Sequence, residues 1–254
     1  MSNKCWSTAL LAAATLAGAT PVWSANWYVT PDGNDITGVG TPEAPFATIN
    51  KAVNVASDGD SIYVAAGTYN FSTNPRVTVN KSVSLYGAQA GVDARSRSGP
   101  ETIIELGSGS NVYGISISTG SVTIDGFTIQ GSGTNQTLIM GGQPSSGTTP
   151  YTGLVIRNCC LTGVQNATNN GIHLQGTSAL VERNLIKNCK NGLNGGTDRG
   201  TESQADDIRI EMTVRENEFV GCRWTLGGYT SGGTITKNLF RDSVYPAGYS
   251  NNAI

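Results

Sequence analysis

The most constraining feature of this 254-residue chain is a short unit that recurs around one polar residue. Five segments align on it: Val122–Phe127 around Asp125, Val155–Cys160 around Asn158, Val181–Ile186 around Asn184, Val214–Phe219 around Asn217 and Ile235–Phe240 around Asn238. Each carries a β-branched apolar residue three places before the polar one. Each carries an apolar residue, or Cys160, two places after it. Those flanking positions are five apart, and a straight strand would put them on opposite faces. Both point inward only if the chain turns a corner between them, and Asn and Asp tolerate the left-handed backbone that a corner needs. The polar residues are separated by 33, 26, 33 and 21 positions. That variation suits a solenoid whose coils carry loop insertions and bury their apolar side by stacking on one another. Asn158, Asn184, Asn217 and Asn238 are then placed to form a side-chain ladder. A β-sandwich with Asn-rich turns is the alternative, but it predicts hairpins and no constant corner.

Composition agrees with many short strands joined by polar turns. Charged residues are 13%, against the usual fraction of about a quarter, and there are 33 glycines. A net charge of −2 provides no broad basic field for nucleic acid.

Residues 1–25 read as a secretory signal peptide. Lys4 is followed by an apolar run from Ala9 to Ala19, then Pro21 and small residues at Ser24 and Ala25. The run is short for a bilayer span, and no later stretch is a candidate. Four cysteines remain after the signal: Cys159, Cys160, Cys189 and Cys222. None has zinc-site spacing. Cys160 takes an inward position and Cys159 a corner that reads as exposed. Cys189 and Cys222 each lie five residues after their Asn, so adjacent coils bring them together as a disulfide or as stacked thiols.

Residues 26–60 read as a strand and a capping helix. Pro45 starts helical spacing that puts Phe46, Ile49, Val53 and Ala56 on one face, over the open end of the first coil. Residues 61–254 read as a parallel β-helix. The chain stops at Asn251-Asn252-Ala253-Ile254 without a capping segment, which reads as truncation.

The run Trp27-Tyr28-Val29 to Pro31-Asp32-Gly33-Asn34-Asp35, then Gly40-Thr41, Pro45 to Ile49, Gly59-Asp60 and Val64 to Gly67-Thr68-Tyr69 resembles the opening of right-handed parallel β-helix proteins of the pectate-lyase-like group. The resemblance implies an all-β solenoid and a polysaccharide or surface glycan as partner, bound along one sheet walled by loops. The candidate sheet holds Ile172, Leu174, Leu193 and Leu226 inward. His173, Gln175, Asn194 and Thr225 are expected to face solvent. The segment after Leu193 carries Asp198, Arg199, Glu202, Asp206 and Asp207. Asp198, Asp206 and Asp207 are candidate Ca²⁺ ligands, since Ca²⁺ takes oxygens. A Ca²⁺-assisted lyase also needs a base, for which Lys190, Arg199 and His173 are the candidates, with Lys187 and Arg209 nearby. A hydrolase built on paired carboxylates is a second chemistry. A non-catalytic adhesin or glycan-binding stalk is the alternative to an enzyme.

Overall fold

The computed structural model describes residues 24–70, 76–142, 151–165, 167–195, 211–227 and 232–242. The signal-peptide reading of residues 1–25 lies almost wholly outside them. Every strand pair described is parallel, and the strands stack into three sheets that wind in one sense.

The first sheet has eight strands: Asn26–Val29, Ser61–Val64, Ser84–Tyr86, Thr123–Asp125, Tyr151–Arg157, Thr177–Glu182, Glu211–Arg215 and Gly232–Thr236. The second has seven: Gly67–Asn70, Thr102–Glu105, Phe127–Gln130, Cys160–Thr162, Leu185–Lys187, Glu218–Val220 and Leu239–Arg241. The third has six: Val77–Val79, Tyr113–Ile117, Thr137–Gly141, Asn170–Leu174, Asn191–Gly195 and Trp224–Gly227.

Like stacks on like inside the tube. Ile62, Leu85, Ile124, Ile156, Val181 and Val214 form one buried column. Ile104, Ile129, Leu161, Ile186 and Phe219 form a second. Ile115, Ile139, Ile172 and Leu193 form the third. Each such side chain contributes roughly 1.5–3 kcal/mol by leaving water, so the coils are held chiefly by burial along the axis.

Val181 and Ile186 are both fully buried, as the corner argument requires. The corner between the first and second sheets differs in one respect from the alignment above. The left-handed residue is the one before the Asn: Arg183, Glu216 and Lys237 have φ of 53°, 56° and 54°. The Asn that follows turns inward and substitutes for a missing backbone partner. Asn184 Nδ2 donates to Ile156 O, Asn217 Nδ2 to Val181 O and Asn238 Nδ2 to Val214 O, at 2.8–2.9 Å. Each Oδ1 accepts the backbone N–H of the preceding coil, and Asn184, Asn217 and Asn238 link into a ladder at 2.9 and 3.0 Å.

Asn158 does not belong to that ladder. It is itself the left-handed residue, at φ 53°, in the position of Gly126 on the coil before and Arg183 on the coil after. Cys159 takes the ladder place: it is fully buried, its N–H bonds Asn184 Oδ1, and its thiol points at Ile124 O, 3.9 Å away. Burial pushes the Cys159 thiol up to about 12, so it stays a donor. Cys160 lies in register with Thr128 and Leu185 on the outer face, and Leu161 is the core residue. Both cysteine expectations are thus reversed by a one-residue shift.

A segment between Gly87 and Glu101 closes over this corner. The buried Arg97 guanidinium reaches Asn158 O, Phe127 O and Thr128 Oγ1 and pairs with Glu101 at 2.8 Å. Outside the first sheet, Tyr28, Tyr63 and Tyr86 stack, and the same column continues as the ion pairs Asp125–Arg157 and Glu182–Arg215.

The capping helix is Ile49–Val55, later than the spacing from Pro45 suggests. Thr48 is its N-cap, accepting from Lys51 N at 3.2 Å, while Asp35 grips the Ala47 and Thr48 amides. Phe46, Ile49, Val53 and Ala56 are nevertheless all buried against the first coil. Asp60 ties this end together, accepting from Ala25 N, Ser57 N and Trp27 Nε1 at 2.7–2.9 Å.

Two outcomes follow. Asn217→Ala removes the amide serving Val181 O and Asn184 N and should cost about 2–4 kcal/mol in chemical denaturation. Burial works to raise the Asp60 pKa, but its three hydrogen bonds and Lys81 outweigh it and hold the carboxyl below the ordinary value. Its stabilisation is therefore complete above the unfolded value of about 3.9 and fades as pH falls through the lower folded value. Asp60→Asn should lower the neutral-pH Tm and flatten the acid limb of a Tm–pH curve.

Candidate functional site

Winding places residues of equal coil position in columns along the axis. On the outer face of the third sheet one column runs Thr78, Ser116, Met140, His173, Asn194 and Gly227. His173 and Asn194 are half-buried neighbours on adjacent coils, as expected. Gln175 follows the same strand at the corner towards the first sheet, where its N–H bonds Gly141 O at 2.8 Å.

Thr225 is a correction. Leu226 pairs with Leu193, so the outward neighbour of Asn194 is Gly227, and Thr225 falls beside Gly192 and Gly171. Its side chain is fully buried, and its Oγ1 has no hydrogen-bond partner among the described residues. The glycines there leave room for neighbours: a Cβ on Gly192 would sit 2.7 Å from Phe219 and from Thr225 O.

The corner between the second and third sheets opens into a cleft of about 600 Å³. Its wall includes Gln165, Thr168, Asn188, Cys189, Lys190, Gly221, Arg223 and Asp242. Two features build it. Asn188, Gly221 and Asp242 are successive left-handed residues, at φ 55°, 62° and 52°, which turn each coil sharply. Lys190 and Arg223 then follow as stacked neighbours. Trp224 N donates to Lys190 O at 2.7 Å and Arg223 N to Cys189 O at 3.1 Å. The column above them is uncharged, Gln136 and Asn169, both buried and mutually bonded at 3.0 Å. Two cations one coil spacing apart thus face a cleft whose described acidic group is Asp242. Such a pair suits an anionic ligand.

Lys190 is the one sequence-nominated base found in the cleft. His173 lies on the sheet face roughly 13 Å along the strand direction, from four residues at about 3.3 Å each. Arg199, Asp198, Asp206 and Asp207 fall outside the described residues, between Gly195 and Glu211 in the sequence. Among the described residues no three His, Cys, Asp or Glu side chains converge. Asp242 in the cleft is too little for a cation that takes six to eight oxygens, so the described cleft does not fit Ca²⁺. Arg223 escaped the sequence reading, although the offset that equates Cys189 with Cys222 also equates Lys190 with Arg223. No helix of the described residues is long and apolar enough to cross a membrane.

Thr225→Val should stabilise by about 1 kcal/mol, because it removes an unpaired buried hydroxyl at nearly constant shape. A solvent-facing Thr225 would show no such gain in the unfolding midpoint.

Sequence comparison bears on the same residues. A family model described as the Pel9A-like right-handed β-helix region matches residues 27–226. The pectate lyase PEL9 of Emericella nidulans is 37% identical over 84 residues, 33% of this chain and 18% of that protein. The aligned stretch therefore spans under a fifth of that relative's length. Among solved structures, pectate lyase Pel9A aligns at 12% identity and a TM-score of 0.40, covering 85% of this chain and 79% of that one. A pectin methylesterase from Aspergillus niger aligns at 10% identity and a TM-score of 0.43, covering 92% and 83%. The family match extends from the strand beneath the capping helix to the strand that carries Leu226. Parallel winding, the three sheets and that match agree: the chain belongs to the Pel9A-like right-handed β-helix family.

Proposed function

We propose that this chain is an exported protein that binds an anionic polysaccharide along its third sheet and cleaves it as a polysaccharide lyase. The observation that carries this reading is the stacked pair Lys190 and Arg223 in a cleft beside the outward column of His173 and Asn194. An extended polymer lying along the axis would run between the two columns. Arg223, always charged, is assigned the uronate carboxylate. Asn194, Gln175 and His173 contact neighbouring sugar rings.

Elimination needs the carboxylate neutralised, which acidifies the hydrogen on the adjacent carbon. Lys190 is assigned as the base that takes that proton. The electron pair forms the carbon–carbon double bond, the neighbouring glycosidic C–O bond breaks, and the departing oxygen is protonated by solvent. Arg199 is a further candidate base. Asp198, Asp206 and Asp207 are proposed to hold Ca²⁺, and no step above is routed through it. The name of one relative, the pectate lyase PEL9, agrees with this chemistry.

The test uses polygalacturonate and a neutral glucan. The wild-type chain should bind the first, release unsaturated ultraviolet-absorbing ends, and lose affinity as salt rises. Arg223→Ala should weaken binding about tenfold or more, the scale of one charged hydrogen bond. Lys190→Ala should abolish product with a smaller loss of affinity. Removing Ca²⁺ by chelation, or substituting Asp206→Asn with Asp207→Asn, should lower turnover. Binding without product would favour a glycan-binding stalk. Equal affinity for both polymers, or for wild type and Arg223→Ala, would overturn the subsite.

A further inference from the structure

Cys189 and Cys222 sit at equivalent points on adjacent coils, each one residue before a cleft cation. Both are buried and free; the Cys189 thiol donates to Lys187 O at 3.3 Å and the Cys222 thiol to Ile186 O at 3.7 Å. Arg223 N also bonds Cys189 O, which fixes the register of the two backbones. Neighbouring strands in a sheet run about 4.8 Å apart, inside the roughly 4.4–6.8 Å that separates disulfide-bonded Cα atoms. Cys189 is buried but belongs to the cleft wall, the side from which a small oxidant would approach the pair.

We propose that Cys189 and Cys222 form a thiol pair that closes to a coil-to-coil disulfide when the protein meets a low-molecular-weight disulfide. Cys189 loses its proton and attacks that disulfide, which releases one small thiolate and leaves a mixed disulfide. Cys222 then attacks Cys189 Sγ and expels the second small thiolate. The protein sulfurs are oxidised together, the small disulfide is reduced, and the two protons leave on two thiols. The neighbouring Cys222 thiol and burial together hold Cys189 protonated, above the ordinary thiol value. Closure should therefore be slow and faster at alkaline pH. The bond would close a loop of one coil and pin the backbones of Lys190 and Arg223 together. It does not depend on the ligand proposed above.

The full chain is incubated with glutathione disulfide or with dithiothreitol, alkylated in denaturant and digested without reduction. Oxidised wild type should yield a peptide linking Cys189 to Cys222 and should melt several degrees higher, reversibly on reduction. Cys160→Ser should keep the linked peptide and Cys222→Ser should lose it. Should Cys222→Ser fail to fold, the wild-type peptide map decides alone. Full alkylation of Cys189 and Cys222 after oxidation, or linkage of either one to Cys159 or Cys160, would overturn the proposal.

Discussion

A buried carbonyl left without a partner at a bend is the problem this fold must solve at every coil. At the corner between the first and second sheets the chain leaves one strand and enters the next within two residues, and the ladder of backbone bonds is interrupted. A left-handed residue makes the turn and the following side chain replaces the lost donor. Asn184, Asn217 and Asn238 do this with an amide that also accepts the N–H of the preceding coil. Buried polar groups are expensive unless paired, so the register between coils cannot slip here without breaking two bonds per coil.

Once register is fixed, every other column follows. The tyrosines outside the first sheet stack, and beyond Tyr86 the same line alternates Asp125, Arg157, Glu182 and Arg215, so opposite charges meet in adjacent pairs. At the second corner the same alignment has an opposite consequence, because Lys190 and Arg223 stack as like charges. Both cations line a cleft, where one anionic ligand can contact the two. The pairing of Lys190 with Arg223 is thus a by-product of register.

Five-residue apolar spacing made the winding legible in the sequence and found the inward pairs Val181–Ile186 and Val214–Phe219, but at the coil of Asn158 the inward pair is Ile156 and Leu161, not Val155 and Cys160. Equating every polar residue with the same corner position failed, because two chemistries mark that corner. Gly126 and Asn158 mark the left-handed place, whereas Asn184, Asn217 and Asn238 mark the inward donor next to it. Cys159 fills the donor place without looking like Asn. Thr225 was misjudged because strict alternation from the inward Leu226 puts it outside, whereas at the start of the strand, beside Gly192, it is buried as well. Arg223 was passed over because it stands alone in sequence and gains meaning only beside Lys190. Asp198, Arg199, Asp206 and Asp207 lie in a segment where no repeat constrains position, so sequence could nominate them but not place them.

The central claim is that the corners wind the strands into stacked parallel coils, and distances between labels on one outer column test it most directly. Nitroxides at Thr123 and Thr234 are four coils apart, and at Ser61 and Thr234 six. At about 4.8 Å per coil, pulsed dipolar spectroscopy should find backbone separations near 19 and 29 Å. Separations that do not grow in that ratio would show that the chain does not wind as described.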